Sequence, residues 1–73
     1  MIPFKLLIEL ANRPHLVREL SYRGNIGIQE LMSFYDKATD EQKDQLEHFL
    51  TDEDIEAALA LLELVTGIRL ERD

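Results

Sequence analysis

Apolar side chains recur at helical spacing in five successive stretches of the chain, and no stretch alternates at period two. The first stretch has apolar residues three or four positions apart, namely Phe4, Leu7, Ile8 and Ala11, a spacing typical of one helix face. Pro14 lacks a backbone donor and interrupts this pattern. The predicted helices cover residues 3–12, 14–22, 26–38, 40–50 and 52–66. The sequence therefore predicts an all-α protein, a compact bundle of four to five short helices.

The same spacing predicts which side chains face the core. In the second helix these are Leu16, Val17 and Leu20. In the third they are Ile28, Leu31, Met32, Tyr35 and Ala38, with Phe34 widening the stripe. In the fourth they are Leu46, Phe49 and Leu50. Each helix thus has an apolar stripe of the kind that packs against other helices.

Several local signals predict where the helices begin and end. Thr39 and Gln42 have the spacing of a capping box at the start of the fourth helix. The segment 51–54 repeats a start signal for the fifth helix, and Asn25 is the predicted N-cap of the third. Gly24 and Gly67 are the predicted stop signals of the second and fifth helices.

The last helix is apolar around most of its circumference. Between residues 55 and 65 only Glu56 and Glu63 are polar. One face consists of Ile55, Ala58, Leu59 and Leu62, and a second apolar face consists of Ala57, Leu61 and Leu64. A helix that is apolar all round is usually buried. Two interpretations follow: it is the central core helix, or its second face contacts a partner helix or a second copy in a homodimer.

Length and composition predict one small domain. We expect residues 1–68 to form a single helical domain, with Ile68 folding back on Leu62, and residues 69–73 to be a frayed tail. The chain has no cysteine, which fits a reducing compartment. The opening segment has an apolar run of only three residues, too short for a signal peptide or a membrane span. These features predict a soluble cytoplasmic protein with no membrane association.

Charge is divided unevenly along the chain. Residues 1–37 carry five basic and four acidic residues, a net charge of +1, whereas residues 38–73 carry three and eleven, a net charge of −8. The acidic half suggests a surface for a protein partner of basic character, formed by Asp40, Asp44, Glu47, Asp52, Glu53 and Glu56. The alternative interpretation is a solvated face whose acids complement helix N-termini.

Candidate chemistry is sparse. Asp52, Asp54, Glu56 and Glu63 have the spacing of a calcium loop, but Ala57 stands where that loop requires glycine. Asp44 and His48 are four residues apart, and two ligands do not complete a zinc site. Neither serine has a histidine nearby in the sequence to activate it. We therefore predict no enzymatic activity, no metal and no cofactor.

Two functional hypotheses are compatible with the sequence. The leading one is a small regulatory or adaptor protein, of a kind common in bacteria and bacteriophages, that binds a protein partner. The alternative is a helix-turn-helix regulator that binds nucleic acid through Arg13, Arg18 and Arg23. A net charge of −7 disfavours binding to phosphates, so nucleic acid is the less favoured partner.

Overall fold

Five α-helices account for most of residues 2–67, the part of the chain that the computed structural model describes. They are α1 (Phe4–Asn12), α2 (Pro14–Gly24), α3 (Ile28–Lys37), α4 (Asp40–Thr51) and α5 (Ile55–Thr66). No strand occurs within this described range. The predicted all-α fold class is confirmed, and every predicted helix is present with ends shifted by three residues or fewer.

The start of α4 follows the predicted capping box. The Thr39 hydroxyl accepts a hydrogen bond from the Gln42 backbone N–H at 3.1 Å. The Gln42 side-chain oxygen in turn accepts from the Thr39 N–H at 2.9 Å. These two bonds satisfy donors that the first turn of a helix otherwise leaves unpaired. The sequence signal and the local structure agree here.

Two other predicted helix starts are wrong. Asn25 is not the N-cap of α3: it adopts a left-handed conformation (φ 55°) that ends α2, and Gly27 precedes α3. Asp54, rather than Thr51, caps α5, since its carboxylate accepts from the Ala57 N–H at 3.3 Å. Asparagine and aspartate satisfy backbone groups in both roles, so their presence marks a boundary without fixing its direction.

The helix α5 lies at the centre of the core. It packs against α2, α3 and α4, whereas α1 packs mainly on α2 at the edge of the bundle. At the end of α2, Gly24 approaches α5 so closely that an added Cβ would overlap the Leu59 side chain. The fully buried side chains that fill the core are Leu6, Leu16, Leu20, Phe34, Leu46, Leu50, Leu59 and Leu62. Of the two interpretations of the last helix, the central core helix matches this arrangement.

Several predicted core faces are corrected by the structure. Val17 of α2 and both Ile28 and Met32 of α3 are exposed, although helical spacing placed them in the core. In α1 the predicted stripe is also exposed, and the buried residues are Leu6 and Leu10. A short helix at the edge of a bundle can bury only one narrow strip. Where apolar residues cover more than one strip, spacing alone does not select the buried one.

The predicted domain limit at residue 68 lies beyond the described residues. The proposed contact of Ile68 with Leu62 and the proposed tail over residues 69–73 both lie outside the described residues. The end of α5 itself follows the sequence signal, because Gly67 adopts the left-handed conformation (φ 74°) that a helix-terminating glycine commonly has.

Candidate interaction surfaces

Four of the six acidic residues predicted as a partner surface already have basic partners within the chain, Asp40 with Lys43 on its own helix and three with residues of other helices. Glu47 on α4 lies 3.6 Å from Lys5 of α1. Glu53 contacts Arg13 and His15, which flank the junction of α1 and α2. Glu56 of α5 pairs with an arginine of α2. Much of the charge asymmetry along the sequence is therefore complemented inside the fold.

Arg13 joins the α1–α2 junction to the α4–α5 loop. Its Nη1 donates a hydrogen bond to the Thr51 carbonyl at 2.8 Å and lies 3.5 Å from Glu53 Oε2. Its Nε lies 3.3 Å from a Glu9 carboxylate oxygen. His15 Nε2 is 2.8 Å from the other Glu53 oxygen. Glu53 has a left-handed backbone (φ 57°). Its two carboxylate oxygens contact different residues, Arg13 and His15.

Two of the three arginines of the nucleic-acid hypothesis are engaged in the same way. The predicted pair of helices and the turn between them are present as α2 and α3. Arg23, however, contacts both Glu19 and Glu56, and Arg13 contacts Glu9 and Glu53. A guanidinium held by carboxylates must lose those contacts to bind phosphate. The third arginine, Arg18, is exposed, and the nucleic-acid alternative stays a prediction.

Five of the six predicted acidic residues face solvent: Glu53 and Glu56 are exposed despite their ion pairs, and Glu47 is half-buried. Asp40, Asp44 and Asp52 are exposed, and Asp40 lies 3.8 Å from Lys43. Asp44 contributes to a shallow cleft of about 230 Å³ between α1 and α4. The cleft is lined by Lys5, Leu6, Glu9, Asp44, Glu47, His48 and Thr51. A docking role for the acidic surface stays a prediction, and it now depends mainly on Asp44 and Asp52, for which the described residues provide no ion pair.

The second apolar face of α5 is divided by the fold. Leu61 is only 8% exposed and belongs to the core. Ala57 is partly buried, and Leu64 is 74% exposed. Leu61 therefore has little surface left for a partner, which corrects the assumption that Leu61 and Leu64 form one open face. An interface on α5 stays a prediction that depends mainly on Leu64.

A larger exposed apolar surface lies on α1. Phe4 is 74% exposed, Leu7 39% and Ile8 47%. Ala11, one turn further along, is also exposed. We call these four residues the α1 stripe. At 100° per residue, the stripe is centred roughly 130° around the helix axis from the buried residues of α1. The helix thus presents one apolar strip to the core and another to solvent.

The spacing of the α1 stripe predicts a helix with one apolar face, and by itself it does not identify that face as a surface. The signal that could have found it is the same one that was used for the last helix. In α1, Leu6 and Leu10 form a second apolar pair four residues apart, beside the stripe. A nine-residue helix with two apolar strips has more apolar surface than one neighbouring helix covers.

Tyr35 carries an unpaired polar group next to the α1–α4 cleft. Its side chain is buried and meets the Phe34 ring edge-on, with the ring centroids 5.3 Å apart. Its hydroxyl has no hydrogen-bond partner among the described residues. Burial raises the pKa of Tyr35 well above its usual range, and the charges of Glu47 and Asp44 raise it further. This hydroxyl is shielded from solvent, so it does not line the cleft.

Comparisons with protein families, curated proteins and solved structures find no match. Function must therefore be argued from the surfaces themselves. Within residues 2–67, no three acidic or histidine side chains are grouped to hold a metal ion. In the same range, no helix is long and apolar enough to cross a membrane. The His48 ring instead contacts the Asp44 backbone carbonyl, with Nδ1 3.0 Å from the oxygen.

Proposed function

We propose that this protein is a non-enzymatic interaction module that binds a protein partner through the α1 stripe. The observation that carries the proposal is the exposure of Phe4, Leu7 and Ile8 on one side of a helix whose other side is buried. Scattered exposed apolar residues are normal on a protein surface, but contiguous apolar patches often mark interaction sites.

The size of the patch supports a contact of moderate strength. An aromatic side chain offers about 200 Å², so Phe4 at 74% exposure leaves about 150 Å² uncovered. With Leu7 and Ile8 the exposed apolar area is roughly 300 Å², and covering it would contribute at most about 7 kcal/mol before the costs of association. That range suits a regulatory or adaptor protein that binds reversibly.

The acidic surface has a secondary place in this proposal. Four of its six residues pair within the chain, which leaves Asp44 and Asp52 for a partner. Exposed charges of this kind affect association rates and partner choice more than affinity. We therefore assign the affinity to the α1 stripe and a steering role, toward partners of basic character, to the aspartates.

A pair of matched variants tests the proposal. Phe4→Glu and Leu64→Glu each place a charge at an apolar position that is 74% exposed, on α1 and α5 respectively. A partner captured with the wild-type chain should bind the purified wild-type and Leu64→Glu proteins equally and lose at least about tenfold in affinity for Phe4→Glu. Equal binding by Phe4→Glu refutes the α1 stripe. Loss with Leu64→Glu alone moves the site to α5. Circular dichroism of each variant checks that the helices remain folded.

A further inference from the structure

We infer that the α1 stripe is covered by the same stripe of a second copy, with the two α1 helices antiparallel. This inference deepens the proposed function, on which it rests, by naming the occupant of the surface. A twofold contact places the same patch on both sides, so the patch must be complementary to itself. The order of residues along the α1 stripe meets that requirement.

Self-complementarity follows from the large and small ends of the stripe. In an antiparallel pair centred between Leu7 and Ile8, each Phe4 faces Ala11 of the partner subunit. The same register places each Leu7 opposite Ile8 of the partner subunit. A large ring then meets a position with only a methyl group, which is how facing helices fill space without voids or overlap. In a parallel pair the two Phe4 rings would meet each other and the two Ala11 residues would leave a gap.

Charge also favours α1 as the contact between two copies. Each chain carries a net charge of −7, so contact through acidic surfaces would bring like charges together. The helix α1 carries one lysine and one glutamate, Lys5 and Glu9, and is neutral overall. Both already pair within the chain, with Glu47 and Arg13. The twofold contact therefore buries no unpaired charge of α1.

The area predicts a reversible dimer rather than an obligate one. The stripe offers roughly 300 Å² of apolar surface per copy, against about 800 Å² per partner in a stable interface. We expect the sedimentation-equilibrium mass to rise from 8.5 kDa toward twice that value as the concentration approaches about 1 mM. Phe4→Glu should weaken the dimer at least about 30-fold, the effect of one interfacial hot spot. Leu64→Glu, the matched control, should leave it unchanged.

Cysteine crosslinking tests the orientation, since the chain has no cysteine of its own. Positions 4 and 11 are about 10 Å apart along the helix, too far for a disulfide between equivalent positions of an antiparallel pair. A mixture of Phe4→Cys and Ala11→Cys chains should therefore oxidise to covalent heterodimers much faster than either variant alone. Faster crosslinking of Ala11→Cys with itself overturns the antiparallel arrangement.

The outcomes separate this inference from the proposed function. A chain that stays monomeric at every concentration, with Phe4→Glu still losing a captured partner protein, overturns the dimer and leaves the proposed function standing. A dimer lost in Leu64→Glu and kept in Phe4→Glu overturns the inference and places self-association on α5. A monomer whose partner binding is insensitive to Phe4→Glu overturns both.

Discussion

The buried hydroxyl of Tyr35 allows a direct test of how the core is packed. The group has no hydrogen-bond partner among the described residues, and its side chain is 4% exposed. An unsatisfied buried polar group costs about 1–3 kcal/mol. Removing one oxygen leaves a void of roughly 15 Å³, which costs about 0.4 kcal/mol at 24 cal/mol per Å³. Tyr35→Phe should therefore stabilise the protein by about 1 kcal/mol at neutral pH, and raise Tm by about 4–8 °C.

The same substitution should change how stability depends on alkaline pH. Burial, with Glu47 and Asp44 adding to it, raises the pKa of Tyr35 in the folded state. In the unfolded chain the tyrosine ionises near pH 10, so above that pH the unfolded state binds fewer protons than the folded state. The part of the unfolding free energy that is linked to ionisation of Tyr35 is therefore constant below about pH 10 and decreases as pH rises further. Tyr35→Phe removes this part of the alkaline loss.

Urea unfolding followed by circular dichroism at pH 7 and at several values above 10 measures both effects. Tyr22→Phe is the matched control, because the Tyr22 ring is 93% exposed and its hydroxyl contributes little to packing. A Tyr35→Phe protein that is less stable than wild type by 1 kcal/mol or more, with Tyr22→Phe unchanged, would refute the reasoning. It would mean that the Tyr35 hydroxyl is hydrogen-bonded in solution.

Three further substitutions test the contact of α2 with α5, the N-terminal cap of α4 and the ion pairs of Arg13. Gly24→Ala should destabilise the protein by about 1–3 kcal/mol in thermal unfolding. Overlap of the added methyl group with the buried Leu59 outweighs the gain of about 1 kcal/mol in helix propensity. Greater stability would show that Leu59 moves aside easily. Thr39→Ala should cost about 1 kcal/mol by urea unfolding through loss of the α4 cap, and no cost would contradict the capping geometry. Arg13→Met should lower the free energy of unfolding by less than about 1 kcal/mol, and this loss should become smaller in high salt, because the contacts of Arg13 with Glu53 are partly solvent-exposed. A loss that does not depend on salt would indicate that Arg13 stabilises the fold by packing.

Secondary structure was largely predictable because each boundary carries local chemistry. Three signals illustrate this: Pro14, the reciprocal bonds of Thr39 and Gln42, and the left-handed Gly67. Each acts on backbone groups only a few residues away. The errors occurred where one residue type serves two roles. Asn25 ends a helix where it was expected to begin one, since its side chain and its tolerance of positive φ suit both positions.

The candidate surfaces were less predictable because exposure depends on where each helix lies in the bundle. The core face of α5 was predicted correctly from Ile55, Ala58, Leu59 and Leu62, since a central helix buries most of what it has. The same periodicity placed Phe4, Leu7 and Ile8 on one helix face without showing that this face is open to solvent. Sequence spacing reports which residues share a face, and tertiary packing decides whether that face has a neighbour.

Local sequence patterns do not predict ion pairs between distant parts of the chain. The acids of residues 38–73 were read as a surface for another molecule, and Lys5, Arg13 and Arg23 contact three of them. The sequence separations of these pairs exceed 30 residues, so only the fold brings them together. The charge totals of the two halves were compatible with either outcome.

The position of α5 at the centre of the bundle has a consequence for synthesis on the ribosome. Of the four helices that precede α5 in chain order, three pack their apolar faces on it. At about 5–20 residues per second, translating the 12 residues of α5 takes about 0.6 to 2.4 seconds. During that interval the nascent chain exposes the apolar faces that α5 covers in the folded protein. Folding therefore has to wait for α5, and a ribosome stalled after α4 would present a substrate for chaperones rather than a partly assembled domain.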